Sequence, residues 1–151
     1  TRLARAYQQS IGGTSRGGGS DSAWVYPTKK LFGAARNVEG GGSLTIIGTL
    51  AMDTGMSLDD VVANELSGTA TMELRLSQDA AASRLFPAVD LRHSATRKDD
   101  QLLSADEVRA SADIRQGVRA MDSLAGLQSV LEGMKSTASN VEFLVAMPKK
   151  F

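Results

Sequence analysis

"SLTIIGTLAMDTGMSLDDVVANELSGTATMELRLS", residues 43–77, changes its apolar period twice. Residues 43–52 are almost continuously apolar, the pattern of a strand buried on both faces. A tight turn at Thr54 and Gly55 follows, then Ser57 as helix N-cap with Asp60 three residues on. Leu58, Val61, Val62 and Leu66 fall on one helical face, and Gly68 closes the helix as a C-cap would. Met72, Leu74 and Leu76 then alternate with Glu73 and Arg75, which predicts a half-exposed strand with the apolar three inward. Strand, helix, strand at this length is one βαβ-like unit, and the class it predicts is α/β.

The flanks are read outward from that unit. On the N-terminal side, Leu3, Ala6 and Tyr7 beside Arg2 and Arg5 mark a short amphipathic helix. The chain opens on Thr1 with no capping residue ahead of this helix, which reads as a fragment whose N-terminal partner lies elsewhere. Residues 10–22, "SIGGTSRGGGSDS", are a flexible loop, or one whose glycines let the backbone approach a partner while Arg16 supplies a charge. Trp24 and Tyr26 beside it are read as packing residues rather than base-stacking ones. A helix starts around Pro27 and places Leu31, Ala34 and Ala35 on one side.

On the C-terminal side, "QDAAASR" is a short helix and "LFPAVDL" a short strand entered through Pro87, with Phe86 as core or as a ring free to stack. Residues 91–100, "LRHSATRKDD", form a polar loop with no periodicity. Its Arg97 is a solvated charge or half of an exposed ion pair worth under about 1 kcal/mol. The alternative is a planar fork of the kind a phosphoryl-transfer site borrows from a neighbouring subunit. Arg92, His93 and Lys98 read as ordinary surface, and His93 as lacking a paired acid. Two helices follow, one opened by a capping box from Ser104 to Glu107, the other carrying Leu124, Leu127, Leu131 and Met134 on one stripe. Residues 140–151 are apolar and then basic, and their pattern assigns no element.

Composition bounds what this can be. At 151 residues the chain is sized for one core, and 17 Lys and Arg offset 17 Asp and Glu, so no global field draws it to a polyanion. Without cysteine and with a single histidine it offers neither a disulfide framework nor a zinc site. No apolar run approaches the roughly 20 residues of a membrane span, and the expectation is a soluble, cytoplasmic protein with no membrane partner. There is no phosphate-cradling G-x-x-x-x-G-K-[ST], no Ser-His-Asp set and no carboxylate cluster with metal spacing, so no metal ligand is assigned.

Four blocks in order carry a family resemblance: "TRLARAY" at 1–7, "LFGAARNVEGGGSLTIIGT" at 31–49, "MDTG" at 52–55 and "RLFPAVDLRHSATRKDD" at 84–100. Together they resemble the C-terminal half of the ATPase domain of the bacterial transcription termination factor Rho family. The match covers residues 1 to about 103, and beyond 104 only helical character agrees. The resemblance implies the C-terminal portion of a RecA-like P-loop ATPase domain: residues 1–103 as the second half of its core, 104–151 as a helical end of the same domain.

It further implies a homohexameric, ATP-dependent RNA helicase that moves along RNA and dissociates transcription complexes containing RNA polymerase. ATP and Mg2+ are its cofactors, held mainly by a preceding segment that carries the phosphate loop and the catalytic acid, so the fragment alone is not expected to hydrolyse ATP. Residue by residue, Arg97 matches the arginine finger that reaches a neighbouring subunit's ATP, Arg84 a second interface arginine, and Phe86 the ring that stacks on adenine. Arg16, with Gly17 and Gly18, falls on the first RNA-contacting channel loop. Thr54, Gly55 and Ser57 fall on the second, where Ser57 and, further on, Ser67 replace lysines usual in the family. Two other readings stay beside this one: a RecA-fold binding or regulatory module without catalysis, and another RecA-like motor such as a rotary ATPase subunit.

Overall fold

The computed structural model describes residues 2–11 and 25–150. They belong to two compact units, Thr1–Ala70 and Thr71–Phe151. The chain is a mixture of helices and short antiparallel ladders, with helices at its C-terminal end.

The first unit contains α1 (Arg2–Ile11), α2 (Val25–Phe32), the ladder of β1 (Arg36–Asn37) with β2 (Ser43–Leu44), and α3 (Ser57–Ser67). Pro27 sits in the first turn of α2, where a missing N–H leaves no helical bond unmade. α2 ends at Phe32, earlier than the alanine spacing predicts, because Ala34 and Ala35 lead directly into β1. α3 buries Asp59, Val62, Ala63 and Leu66. Val61, expected inward, is 42% exposed. The N-cap is Met56 rather than Ser57, and no side chain caps the helix.

The expected two-sided strand at 43–52 is not formed. Only Ser43 and Leu44 pair, antiparallel to β1, and Ile47 is 90% exposed. Among the described residues no parallel pair exists, so the strand-helix-strand pattern is not closed into a βαβ unit. The apolar run describes a segment able to lie inside a sheet, and sheet pairing needs neighbours that periodicity does not supply.

The second unit is built on one extended segment, residues 71–77, that runs against residues 88–97. β3 (Met72–Glu73) pairs with β4 (Ala95–Thr96), and Leu76 bridges to Val89. Three residues separate Met72 from Leu76, but six separate Val89 from Thr96, so residues around 91–94 are bulged out of the pairing. Met72, Leu74 and Leu76, expected inward, are exposed. Met72 and Leu74 instead line an open apolar groove of about 250 Å3, together with Val118 and Phe143.

Between the paired segments lies α4 (Gln78–Ala82), capped by the Ser77 hydroxyl, which accepts from the Ala80 N–H. The expected strand over "LFPAVDL" reduces to the single bridge at Val89, after a cis Phe86–Pro87 peptide. Three helices complete the unit: α5 (Ala105–Ala120), α6 (Ser123–Lys135) and α7 (Asn140–Ala146), the last continued by a 3-10 turn. The capping box is formed in full. Ser104 N–H donates to the Glu107 carboxylate at 2.8 Å while the Ser104 hydroxyl accepts from the Glu107 N–H; the same hydroxyl donates to the carboxylate at 2.8 Å, and the two bonds to the carboxylate hold it below its ordinary value.

Ile114, Val118, Val130, Phe143 and Met147 form the core of this unit, with Leu91 and Leu144 packed against it. The terminal segment that periodicity left unassigned thus supplies Met147, the most deeply buried large side chain. Leu127 of the predicted leucine stripe is buried, whereas Met134 is exposed. Among the described residues no helix is long and apolar enough to cross a membrane.

Gly133 lies against Met147 and Phe143, and a methyl there would come within 3.2 Å of Phe143 Cε2 and closer still to Met147. Gly133→Ala gains about 1 kcal/mol of helix propensity but overpacks the core by roughly 1–3 kcal/mol, so a net loss of about 1 kcal/mol is expected. The same change at Gly68, φ −59° with open space around it, is expected to be neutral or stabilising by up to about 1 kcal/mol. Urea denaturation of both variants measures the contrast in sign.

Candidate functional site

The residues singled out from sequence fall in three places. Arg16, Gly17 and Gly18 lie outside the described residues. Thr54, Gly55 and Ser57 belong to the turn ahead of α3 in the first unit, and Arg84, Phe86 and Arg97 to the second unit.

Asp59, only 4% exposed, organises the first of these turns. The Thr54 hydroxyl donates to its Oδ2 at 2.6 Å and accepts from the Met56 N–H at 3.3 Å. Arg2 of α1 reaches the same carboxylate with Nη2 at 2.5 Å and Nε at 3.4 Å, a two-pronged pair that raises the arginine's pKa, through the hydrogen bond first and the charge second. A carboxylate this buried is costly unless paired and hydrogen-bonded, and here it is both. The Thr54 hydroxyl proton is thereby engaged by Asp59. Gly55, at φ 74° with no atom near a would-be Cβ, and the exposed Ser57 are left as the surface of the turn.

Arg84 follows α4 in the left-handed region, φ 56°. Its N–H donates to Ala81 O at 3.1 Å and Leu85 N–H to Ala80 O at 2.9 Å, the two bonds of a Schellman ending. Glycine is the usual residue at that position, and an L side chain there costs roughly 1–2 kcal/mol. Phe86, two residues on, is 60% exposed, so the core reading is wrong and an open ring face is what the structure presents.

Arg97 is fixed through its backbone, with its N–H donating to Thr71 O at 2.8 Å at the end of the β3–β4 pairing. Its side chain is exposed, and Lys98 follows at φ 52°. The bulge before it is closed at the neck: Ser94 N–H and Oγ both donate to Asp90 O, at 3.1 and 2.6 Å, and Arg75 N–H donates to Ser94 Oγ at 3.0 Å. The Asp90 carboxylate accepts from the N–H groups of Arg92 and His93 at 2.9 and 3.1 Å and pairs with His93 Nδ1 at 2.7 Å. Burial pushes this carboxyl up, but the bonds from the His93 ring and the two N–H groups together hold it below its ordinary value. His93 therefore has the paired acid that its sequence neighbourhood did not suggest. Arg92 is not ordinary surface either: half-buried, it donates through Nη2 to the carbonyl of Met121 and, at 3.5 Å, to that of Arg119.

The second unit thus carries Arg84 and Phe86 in the turn after α4 and Arg97 at the end of β4, all three on exposed segments held by main-chain bonds. Among the described residues no group of three or more His, Asp or Glu is placed to hold a metal ion. Sequence reasoning missed Asp59, Asp90 and Arg92, since each acts on a partner set by the fold. The D-x-x-H spacing of Asp90 and His93 was the one local sign available.

Removing the left-handed cost at Arg84 separates its two roles. Arg84→Gly is expected to stabilise the protein by about 1 kcal/mol while deleting the guanidinium. A fall in melting temperature would show that the arginine side chain contributes to the fold.

No protein-family model matches the chain. Curated relatives do. The transcription termination factor Rho of Micrococcus luteus is 45% identical over 151 residues, that of Streptomyces lividans 44% and that of Haemophilus influenzae 42%, each alignment taking in 99% of this chain. The chain spans 22%, 21% and 36% of those proteins' lengths respectively. Its homologues are transcription termination factors named Rho, and it corresponds along nearly its whole length to a segment of them.

Proposed function

We propose that this chain is part of an ATP-driven RNA translocase that terminates transcription, as the C-terminal portion of a RecA-like ATPase domain working in a hexameric ring. The observation that carries this reading is identity above 40% to Rho proteins across 99% of the chain, including the segment after residue 104, where the motifs give out. ATP, bound with Mg2+, supplies the phosphoanhydride whose hydrolysis drives movement. In this reading the metal is held mainly by a segment of the longer protein that precedes this one.

In this reading Phe86 offers its open ring to the adenine, while Arg97 and Arg84 bring charge to the phosphates of a neighbouring subunit's nucleotide. A bidentate guanidinium placed where negative charge develops is worth roughly 10³–10⁵ in rate. An exposed fork on a backbone fixed at Thr71 meets the need for a group that arrives without reorganising. The 52–57 turn meets RNA with its backbone and Ser57, since Thr54 is tied to Asp59. The exposed run around Ile47 and the exposed Met72, Leu74 and Leu76 are faces that further strands of the longer protein cover. RNA and the transcription complex are its partners, and the cytoplasm its place.

Two outcomes are expected of the protein that carries this chain. Arg97→Ala abolishes RNA-stimulated ATP hydrolysis with ATP binding intact, measured by turnover and by nucleotide titration; undiminished turnover would refute the trans role. Ser57→Lys adds one phosphate contact, so RNA-stimulated turnover should rise, and the slope of log affinity against log salt should grow in magnitude by about 0.7, the single-strand value per phosphate. An unaltered slope would mean that the turn does not face RNA.

A further inference from the structure

The loop that bears Arg97 is tied to the helical end of the chain by a residue that the function above does not use. The bulge at 91–94 is stitched at its neck by Asp90, Ser94 and Arg75. From it Arg92 extends to the last turn of α5, where its guanidinium donates to the carbonyls of Met121, the C-cap, and Arg119. The final carbonyls of a helix have no partner within it and carry the negative end of its dipole, so a cation there is doubly matched. Leu91, just before Arg92, packs on the core formed by α5, α6, α7 and the turn after it. Beyond the bulge, five residues from Arg92, Arg97 is held by its own N–H on Thr71.

We propose that Arg92 is a positioning residue: by capping α5 it fixes the bulge against the helical end and so sets where the Arg97 guanidinium stands. This rests on the reading of Arg97 as the arginine that acts on a neighbouring subunit's ATP. The main-chain bond at Thr71 fixes one end of the segment 91–97, and Arg92 fixes the other. Without Arg92 the bulge keeps its neck but loses its side-chain hold on α5, and the ladder at 95–97 is left to hold the segment from one side only. An error of about 1 Å in a group that must meet a transition state costs up to ~100-fold in rate without weakening substrate binding. A lysine in place of Arg92 keeps a cationic donor for the same carbonyls.

The test is made in the whole protein, measuring RNA-stimulated ATP turnover. Arg92→Met is expected to lower kcat about 10-fold with KM for ATP changed less than about twofold, and Arg92→Lys to recover most of the loss. In an Arg97→Lys background, where the fork is already absent, Arg92→Met should cost little more. Should Arg92→Met fail to fold, Arg92→Gln, which keeps a shorter donor, carries the same comparison. Wild-type kcat in Arg92→Met, beside a severe loss in Arg97→Ala, would overturn this inference and leave the reading of Arg97 standing. Equal fold-losses in both backgrounds would overturn it too, by showing that Arg92 acts on the fold at large. Full turnover in Arg97→Ala would remove both.

Discussion

The antiparallel pairing of residues 71–77 with 88–97 is the constraint on which the second unit depends. It brings together segments up to twenty-six residues apart in the chain, Thr71 with Arg97 at one end and Ser77 with Ala88 at the other. The loop it encloses holds α4, Arg84 and Phe86, and its end delivers Arg97. Backbone bonds between extended segments are the appropriate device for this purpose. They fix position without spending side chains, so arginines and an aromatic ring can stay exposed at places the ladder determines. The first unit solves the same problem differently. There a single buried carboxylate, Asp59, gathers Thr54 from the turn and Arg2 from α1, so the turn's shape depends on a charge rather than on a ladder.

Both solutions are exacting for a physical reason. A buried carboxylate that loses one partner keeps its desolvation cost and forfeits the compensation, which is why breaking such a pair costs more than forming it gains. Asp90 is less buried, and its hold on the N–H groups of Arg92 and His93 shapes the bulge from inside. In each unit, then, an aspartate closes a turn through hydrogen bonds to the residues around it. The Lys29–Glu65 pair between α2 and α3 contrasts with these: at 2.8 Å it is well made, but both side chains are exposed and its contribution is small.

What the sequence disclosed follows from the range of each signal. The Ser104 capping box is local, needs no distant partner, and was legible directly as a motif; the Ser77 cap is equally local but was not read. Alternation at 72–76 correctly grouped side chains by face, but it carries no information on what covers that face, and so the inward assignment failed. The apolar run at 43–52 failed for the same reason, since its partners are not encoded in its own period. Arg84 was legible only through resemblance. Composition gives glycine, not arginine, as the mark of a Schellman ending, and a residue that breaks a local rule at a strained position is where function is to be sought.

The ladder also decides which face Arg97 occupies. In a regular strand, residues seven apart point to opposite faces, yet Val89 and Thr96 both share a face with Leu76 and Met72, their partners in the ladder. Four regular positions would have kept them together; three extra residues are an odd number, so the bulge's backbone must absorb a reversal that plain alternation cannot. Because the partner across the ladder fixes the face, Thr96 lines the apolar groove and Arg97, the next residue, alternates to the other side. The pairing of residues 95–97 with 71–73 is therefore as much a part of the candidate site as the identity of its arginine, and charge and composition, which count residues without regard to their partners, have no means of expressing it.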